Sequence, residues 1–275
     1  MLHTRTTFVP YNWPVKESDV VFMGIPFVST ASSFAAPYGP LMVRQSLAFK
    51  EDFIKDAKTN LFEKVKVCDV GDIAIVPGSF ESTSNKIKET ISHIEEENKP
   101  RFWIFIGGDH SVSLPIVDSL KPKTLIILDA HTDLNDDDDE QTYSKYNHAT
   151  WVRHVDPSIE IYHIGLRSWS RSSFEASKRS KHITVDELEK MKFKPPIHLS
   201  IDIDFFDPAY IGKTGYPEGI MKPQDAFRVL NAIQVDSMDI VEIADIELPS
   251  KAGFLAAELI KRALAHSLLN IKVSL

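Results

Sequence analysis

Short runs of β-branched, aromatic and aliphatic residues recur along the chain. Each is followed by a turn and then by a longer stretch in which apolar residues return at helical spacing. The runs occupy residues 19–23, 66–70, 102–106, 124–128, 160–164, 197–201 and 239–243, and the helical stretches 81–97, 111–120, 171–179, 185–191, 223–233 and 251–269. Leu125, Ile126, Ile127 and Leu128 are apolar at consecutive positions, the pattern of a strand covered on both faces. The alternation therefore predicts an α/β domain with a parallel sheet between helices, although by itself it fits a closed eight-stranded barrel as well as an open sheet. Pro10, Pro14, Pro26, Pro37 and Pro40 interrupt the first roughly 60 residues, which are expected to lie partly as loops over the sheet edge. With no Gly/Ser-rich linker, charge shift or fixed-period repeat, a single domain spanning 1–275 is expected.

Composition narrows the partners. At 43% hydrophobic and 25% charged residues the chain can bury a full core. Its net charge of −8 and pI near 5.7 oppose attraction to nucleic acid or anionic lipid. The single cysteine, Cys68, lies in an apolar run and predicts a small buried thiol, which fits a reducing, cytoplasmic compartment. No signal-peptide core opens the sequence, and no apolar run reaches the ~18 residues of a membrane span, so a soluble protein is expected.

Ligands bind at the carboxyl ends of parallel strands, so the residues after each run carry the chemistry. Gly107-Gly108-Asp109-His110 follows the third run and Asp129-Ala130-His131-Thr132-Asp133 the fourth, while Asp202-Ile203-Asp204 and then Asp207-Pro208 follow the sixth. Residues two apart on an extended end face the same side. Asp129, His131 and Asp133 can thus share a cavity with Asp202 and Asp204. Carboxylates packed this densely repel unless cations neutralise them, and an oxygen-rich set with two imidazoles suits Mn²⁺ ahead of Mg²⁺, Co²⁺, Fe²⁺ or Zn²⁺. Six ligands with bridging carboxylates suit two ions ~3.5–4 Å apart sharing an activated water. Singly, an Asp-x-Asp is usually a solvated turn and a Gly-Gly-Asp-His a tight turn with a satisfied histidine; three such clusters at three strand ends are not explained that way.

In order and separation, Gly107 to His110, Asp129 to Asp133, and Ser200-Ile201-Asp202-Ile203-Asp204-Phe205-Phe206-Asp207-Pro208 resemble the three metal-binding signatures of the ureohydrolase family, which includes arginase, agmatinase and formimidoylglutamase. The resemblance extends from Gly24-Ile25-Pro26-Phe27, Tyr38-Gly39-Pro40 and Arg44 to Asp239-Ile240-Val241-Glu242. It implies a three-layer α/β/α domain around a mostly parallel eight-stranded sheet, and homo-oligomers, usually trimers or hexamers. It also implies two Mn²⁺ per chain: His110 and Asp133 on the first, His131 and Asp204 on the second, Asp129 and Asp202 bridging. Glu242 matches the acid that binds guanidinium, and His148, in Asn147-His148-Ala149-Thr150, the histidine after the second metal motif. The implied reaction is hydroxide attack on a guanidinium carbon to give urea and an amine. Asp133 accepts the nucleophile's proton and returns it to the leaving nitrogen, and His148 exchanges protons with solvent. The alternative readings are a structural strand-end acid for Glu242 and a surface histidine for His148.

The substrate turns on the walls. Glu242 is followed by Ile243-Ala244-Asp245 where the family commonly has Val-Asn-Pro, Gly215-Tyr216-Pro217-Glu218-Gly219 is a short form of its Pro/Gly-rich loop, and Ala149 stands where glycine is usual. After Asp133 runs Leu134-Asn135-Asp136-Asp137-Asp138-Asp139-Glu140, with no arginine or lysine. Two readings stand: a solvated acidic loop, or a field over the cleft that repels an α-carboxylate and attracts an amine. The second favours agmatine. Asp-Leu-Asn, however, is similar to the arginase version, in which that asparagine, here Asn135, helps bind the amino acid head group, whereas Ile164-Gly165-Leu166-Arg167-Ser168 resembles agmatinases. The expectation is hydrolysis of a guanidino compound, agmatine ahead of arginine or a formimino compound. A one-zinc amide hydrolase of the deacetylase type and a metal-binding relative without turnover are the rival classes.

Overall fold

A computed structural model describes residues 12–29, 36–137, 145–214, 219–245 and 247–274. The strands are β1 (Val20–Ile25), β2 (Phe53–Ile54), β3 (Thr59–Asn60), β4 (Val67–Asp72), β5 (Phe102–Gly107), β6 (Thr124–Leu128), β7 (Glu160–Ile164), β8 (Lys181–His182), β9 (Ile197–Asp202) and β10 (Ser237–Val241). The helices are α1 (Gly39–Phe49), α2 (Phe80–Glu97), α3 (Ser113–Leu120), α4 (Arg171–Ala176), α5 (Val185–Leu188), α6 (Pro208–Ile211), α7 (Pro223–Ala232) and α8 (Lys251–Leu269). Eight strands form one sheet in the order β4-β1-β5-β10-β9-β6-β7-β8, and every neighbouring pair is parallel. The sheet runs from β4 at one edge to β8 at the other, and these two strands do not pair, so the described chain forms an open α/β layer structure and the barrel is excluded. Cys68 on β4 is buried, as its apolar setting predicts.

Three local expectations shift. Residues 39–49, expected as irregular chain because of the prolines, form α1: Pro40 sits in its first turn, where a missing N–H breaks no helical bond. Stretches 171–179 and 185–191 give only short helices, α4 and α5, each started by a capping box, Ser170 with Ser173 and Thr184 with Glu187. β10 begins and ends two residues before the apolar run 239–243, so Glu242 lies just beyond the strand rather than in it.

The order of strands places the chemistry. β5, β10, β9 and β6 are neighbours in the middle of the sheet although they are far apart in sequence. The chain leaves a gap when it passes from β5 to β6, and β9 and β10 later fill it; such a switch in strand order opens a crevice at the carboxyl ends. Ile240 pairs with Ile106, Val241 with Asp202, and Leu128 with Ile201, so the four strands end almost level. Their next residues meet at one place.

Candidate metal centre

The turns at these ends aim the acids. Each Asp-x-His or Asp-x-Asp folds back so that an Asp oxygen accepts an N–H two residues on, the habit of Asp in a turn. His131 N–H donates to Asp129 Oδ1 at 2.7 Å, and Asp204 N–H to Asp202 Oδ1 at 2.8 Å. Ala130 N–H donates to Asp204 Oδ1 at 3.2 Å. One oxygen of each acid is thereby fixed by backbone, which leaves Oδ2 to face the cavity. At the end of β5, Gly108 is required by close approach, because a Cβ there would stand 2.0 Å from the Phe27 carbonyl oxygen. Asp109, 0% exposed, does not join the acids: it caps the turn at His110–Val112, accepting from Ser111 N–H.

His110 Nδ1 lies 2.9 Å from Asp133 Oδ2, 3.1 Å from Asp129 Oδ2 and 3.4 Å from Asp202 Oδ2. His131 Nδ1 lies 3.0 Å from Asp204 Oδ2 and 3.6 Å from Asp129 Oδ1. Two groups able to hold an ion result, His110–Asp129–Asp133 and Asp129–His131–Asp204, with Asp129 common to both. Donors bound at ~2.1 Å to an octahedral ion stand roughly 3.0 Å apart on adjacent vertices, close to most of these separations. His110 Nδ1 and Asp129 Oδ2 are buried yet have no acceptable hydrogen bond among the described residues. Orphaned buried atoms of this kind call for a further partner, and the donor set fits a divalent cation.

The electrostatics agree. Burial opposes charging His110, but the carboxylates of Asp129, Asp133 and Asp202 around it overcome that and hold the imidazole well above its usual range. Burial likewise lowers His131, and Asp129 and Asp204 more than compensate, pushing it up to about 12. Asp202 is pushed well above the carboxylate range by burial and by the charges of Asp204 and Asp129. Asp204, although burial raises it, is held low by His131. Negative charge is in excess here and draws in protons, for which a divalent cation would compete.

The remaining expected residues fall around this cluster. Glu242 has φ +60°, a left-handed conformation uncommon for glutamate, and Asp133 has φ +51°. Glu242 Oε1 accepts the His110 N–H at 3.1 Å, and its own N–H donates to the Gly108 carbonyl at 2.8 Å. Strain of this kind concentrates at functional sites. Asn135 N–H donates to the Ala149 carbonyl at 2.9 Å, which docks the turn carrying His148 on the strand of chain after Asp133. Asn135 Oδ1 accepts from Ser170 Oγ at 2.7 Å. In the acidic loop, Asp137 Oδ1 lies 3.0 Å from His154 Nε2; Asp138, Asp139 and Glu140 lie outside the described residues, as do residues 215–218. The loop contains no cation, but Arg153 reaches its backbone, donating from Nε to the Asn135 carbonyl at 2.9 Å and from Nη2 to the Leu134 carbonyl at 2.8 Å.

Several partners were given no role of their own at the site from sequence. Trp151, 0% exposed, donates from Nε1 to Asp133 Oδ2 at 2.8 Å and tilts its ring against His110 at 4.8 Å. Arg167 donates to the carbonyls of Asp204 and Phe205, pinning the Asp204 turn. Gly165 permits this with φ +100° and no Cβ, which would stand 2.5 Å from the Phe205 ring. His198, Ser200, Ser237 and Asp239 line up behind His110. Their signal was available: alternate polar positions on two wholly buried strands share a face.

Residues 18–266 match the Arginase family. The chain is 29% identical over 258 residues to the N(1)-aminopropylagmatine ureohydrolase of Thermococcus kodakarensis, covering 87% of this chain and 88% of that protein. It is 31% identical over 266 residues to the agmatinase of Bacillus anthracis, covering 89% and 90%. The crystal structure of an agmatine ureohydrolase of Thermoplasma volcanium superposes with a TM-score of 0.81 at 25% identity, covering 92% of this chain and 91% of that one.

Proposed function

The chain belongs to the arginase family, and from that premise we propose that it hydrolyses a guanidino compound to urea and an amine, with agmatine as substrate and two Mn²⁺ as cofactor. The observation that carries this reading is the convergence of three aspartates and two histidines in two groups sharing Asp129, with a fourth aspartate, Asp202, 3.4 Å from His110 Nδ1. A lone zinc site of the deacetylase type needs fewer ligands, and the similarity to an N(1)-aminopropylagmatine ureohydrolase and an agmatinase covers most of the chain. When bound, the metal pair supplies a water acidic enough to serve as nucleophile near neutral pH.

His110 and Asp133 would hold the first ion and His131 and Asp204 the second, with Asp129 and Asp202 completing the ligand set. Glu242, anchored to the His110 backbone, presents its carboxylate to the guanidinium and orients the planar carbon toward the cluster. Asp133 accepts the nucleophile's proton and returns it to the leaving nitrogen, which could not depart as an amide anion. Trp151 holds Asp133 Oδ2 in place for that exchange. His148 relays protons to solvent. Asp136 and Asp137 add negative charge near Asn135, which favours a substrate ending in an amine over one ending in an α-carboxylate. Arg153, bound to the loop's carbonyls, and His154, beside Asp137, offset part of that field.

No described helix is long and apolar enough to cross a membrane. A cytoplasmic homo-oligomer, trimeric or hexameric, completes the proposal. The test is urea release from a panel of agmatine, arginine and other guanidino compounds with added Mn²⁺. Agmatine should give the highest kcat/KM; arginine as the better substrate would overturn the assignment, and no urea from any compound would leave a metal-binding relative without turnover.

A further inference from the structure

A buried polar ladder runs between the two central strands behind the cluster. On β9 and β10, Ser237 pairs directly with His198 and Asp239 with Ser200. His198, Ser200 and Asp239 are each 0% exposed. Their contacts form one chain: Ser237 Oγ lies 2.7 Å from His198 Nδ1, His198 Nε2 2.8 Å from Asp239 Oδ2, and Ser200 Oγ donates to Asp239 Oδ1 at 2.7 Å. The far side of Ser200 Oγ is 2.9 Å from His110 Nε2. Polar groups in the middle of a sheet carry a desolvation cost that apolar side chains of the same size would avoid. A fully satisfied network offsets that cost and also fixes one arrangement of protons.

The direction of the bonds determines what the chain does. A hydroxyl has one proton, and that of Ser200 goes to Asp239. Ser200 therefore offers His110 only a lone pair, and His110 Nε2 must carry the hydrogen of that contact. A neutral imidazole protonated on Nε2 is bare at Nδ1, the atom that faces Asp129, Asp133 and Asp202. We propose that Asp239 is a positioning residue for the metal centre: through Ser200 it selects the His110 tautomer whose Nδ1 is open to a divalent ion, while His198, itself bonded to Ser237, holds its other oxygen. The proposal rests on the reading of His110 as a metal ligand. It adds a remote carboxylate that touches neither ion nor substrate and acts by orienting and polarising a ligand.

Three proteins test it: wild type, Asp239→Asn and Ser200→Ala. In Asp239→Asn the amide can donate to Ser200, which frees the serine proton to turn toward His110 and favours the wrong tautomer. In Ser200→Ala the Asp239–His198 pair stays intact and only the link is lost. Competition with a chelator should show the Kd for Mn²⁺ rising by about 10–100-fold in both, with native near-UV circular dichroism. In the Zn²⁺-loaded, ¹⁵N-histidine-labelled wild type, the His110 Nε2–H proton should appear downfield and exchange slowly, and in Ser200→Ala it should exchange fast or vanish, a signature that a loss of packing alone does not produce. Wild-type Mn²⁺ affinity in Ser200→Ala, or a slow Nε2–H unaffected by that change, overturns the proposal, and Ser200→Ala decides even if Asp239→Asn does not fold. If wild type binds neither ion, the metal-centre reading falls as well; if it binds and the variants match it, only the role of Asp239 falls.

Discussion

His163 should make the protein acid-sensitive, by an amount that can be worked out. It lies on β7 with no exposed surface, its Nδ1 is 2.9 Å from Ser180 Oγ, and Nε2 has no hydrogen bond among the described residues. Burial pulls its pKa down to about 4, even though the charges of Asp129 and Asp133 push the other way. In the unfolded chain it titrates near 6.5. Between these values the unfolded state takes up the proton and the folded state does not, so stability is lost as pH falls through the window and levels off below about 4. For one such group the loss relative to pH 7.5 is about 2 kcal/mol at pH 5 and about 3 kcal/mol at pH 4. His163→Asn keeps a polar atom near Ser180 and removes the titration. Its cavity cost is independent of pH and cancels when each protein is compared with itself. Urea unfolding at pH 7.5 and 5, in chelator so that metal release does not contribute, should show wild type losing about 2 kcal/mol more than the variant. Parallel losses in the two proteins would refute the reasoning and mean that His163 is charged or solvated in the folded state.

Glu242→Gln should retain both metals by elemental analysis and lose most turnover in the urea assay, because the amide keeps the contact to His110 N–H but not the charge that pairs with guanidinium. Asp129→Ala and Asp202→Ala should abolish activity and lower metal content, whereas Asp207→Ala, which removes the acceptor for Ala209 N–H at the start of α6, should cost about 1 kcal/mol in unfolding experiments and leave metal content unchanged. Affinity for Mn²⁺, measured by titration calorimetry, should fall steadily as pH drops from 8.5 to 6.5. His110 and His131 are held protonated by their carboxylates, and an ion must displace those protons to bind.

The strands were legible because a parallel sheet covered on both faces needs consecutive apolar residues, and few other elements do. The acids at their ends were legible because Asp and His have no packing reason to cluster there. α1 was hidden by Pro40, which reads as a breaker until it is known to stand in the first turn. β10 slid two residues because Ser237 and Met238, next to Asp239, look less strand-like than Ile243, and only register with β9 places them inside. Trp151 and Arg153 were illegible for a different reason: they reach the site across a turn, and no spacing rule links residue 151 to 133 or 153 to 135. The Asp239 ladder did carry a pattern, polar residues at every second position of a buried strand, but a periodicity scan for apolar residues passes over it.

Among the described residues, two groups of acids differ in their partners, and the partners separate structure from function. Asp69 and Asp72 face Arg44, whose Nε lies 2.7 Å from Asp69 Oδ2 and whose Nη1 reaches Asp72. A guanidinium keeps its proton at any relevant pH, so one of those two negative charges is offset permanently and the contact ties α1 to β4. Around Asp129, Asp133, Asp202 and Asp204 the donors are of another kind: backbone N–H groups, the Trp151 indole, and two imidazoles. Arg153 and Arg167 donate to carbonyl oxygens of the flanking turns, and Arg167 helps to lower Asp204 through its charge. Neutral donors orient a carboxylate without cancelling its charge, and an imidazole can give up its proton when a cation arrives. An arginine on any of these four oxygens would stabilise the fold as Arg44 does and close the place of an ion. The same acids thus serve packing at one edge of the sheet and metal binding at its centre, according to whether the positive charge beside them can leave.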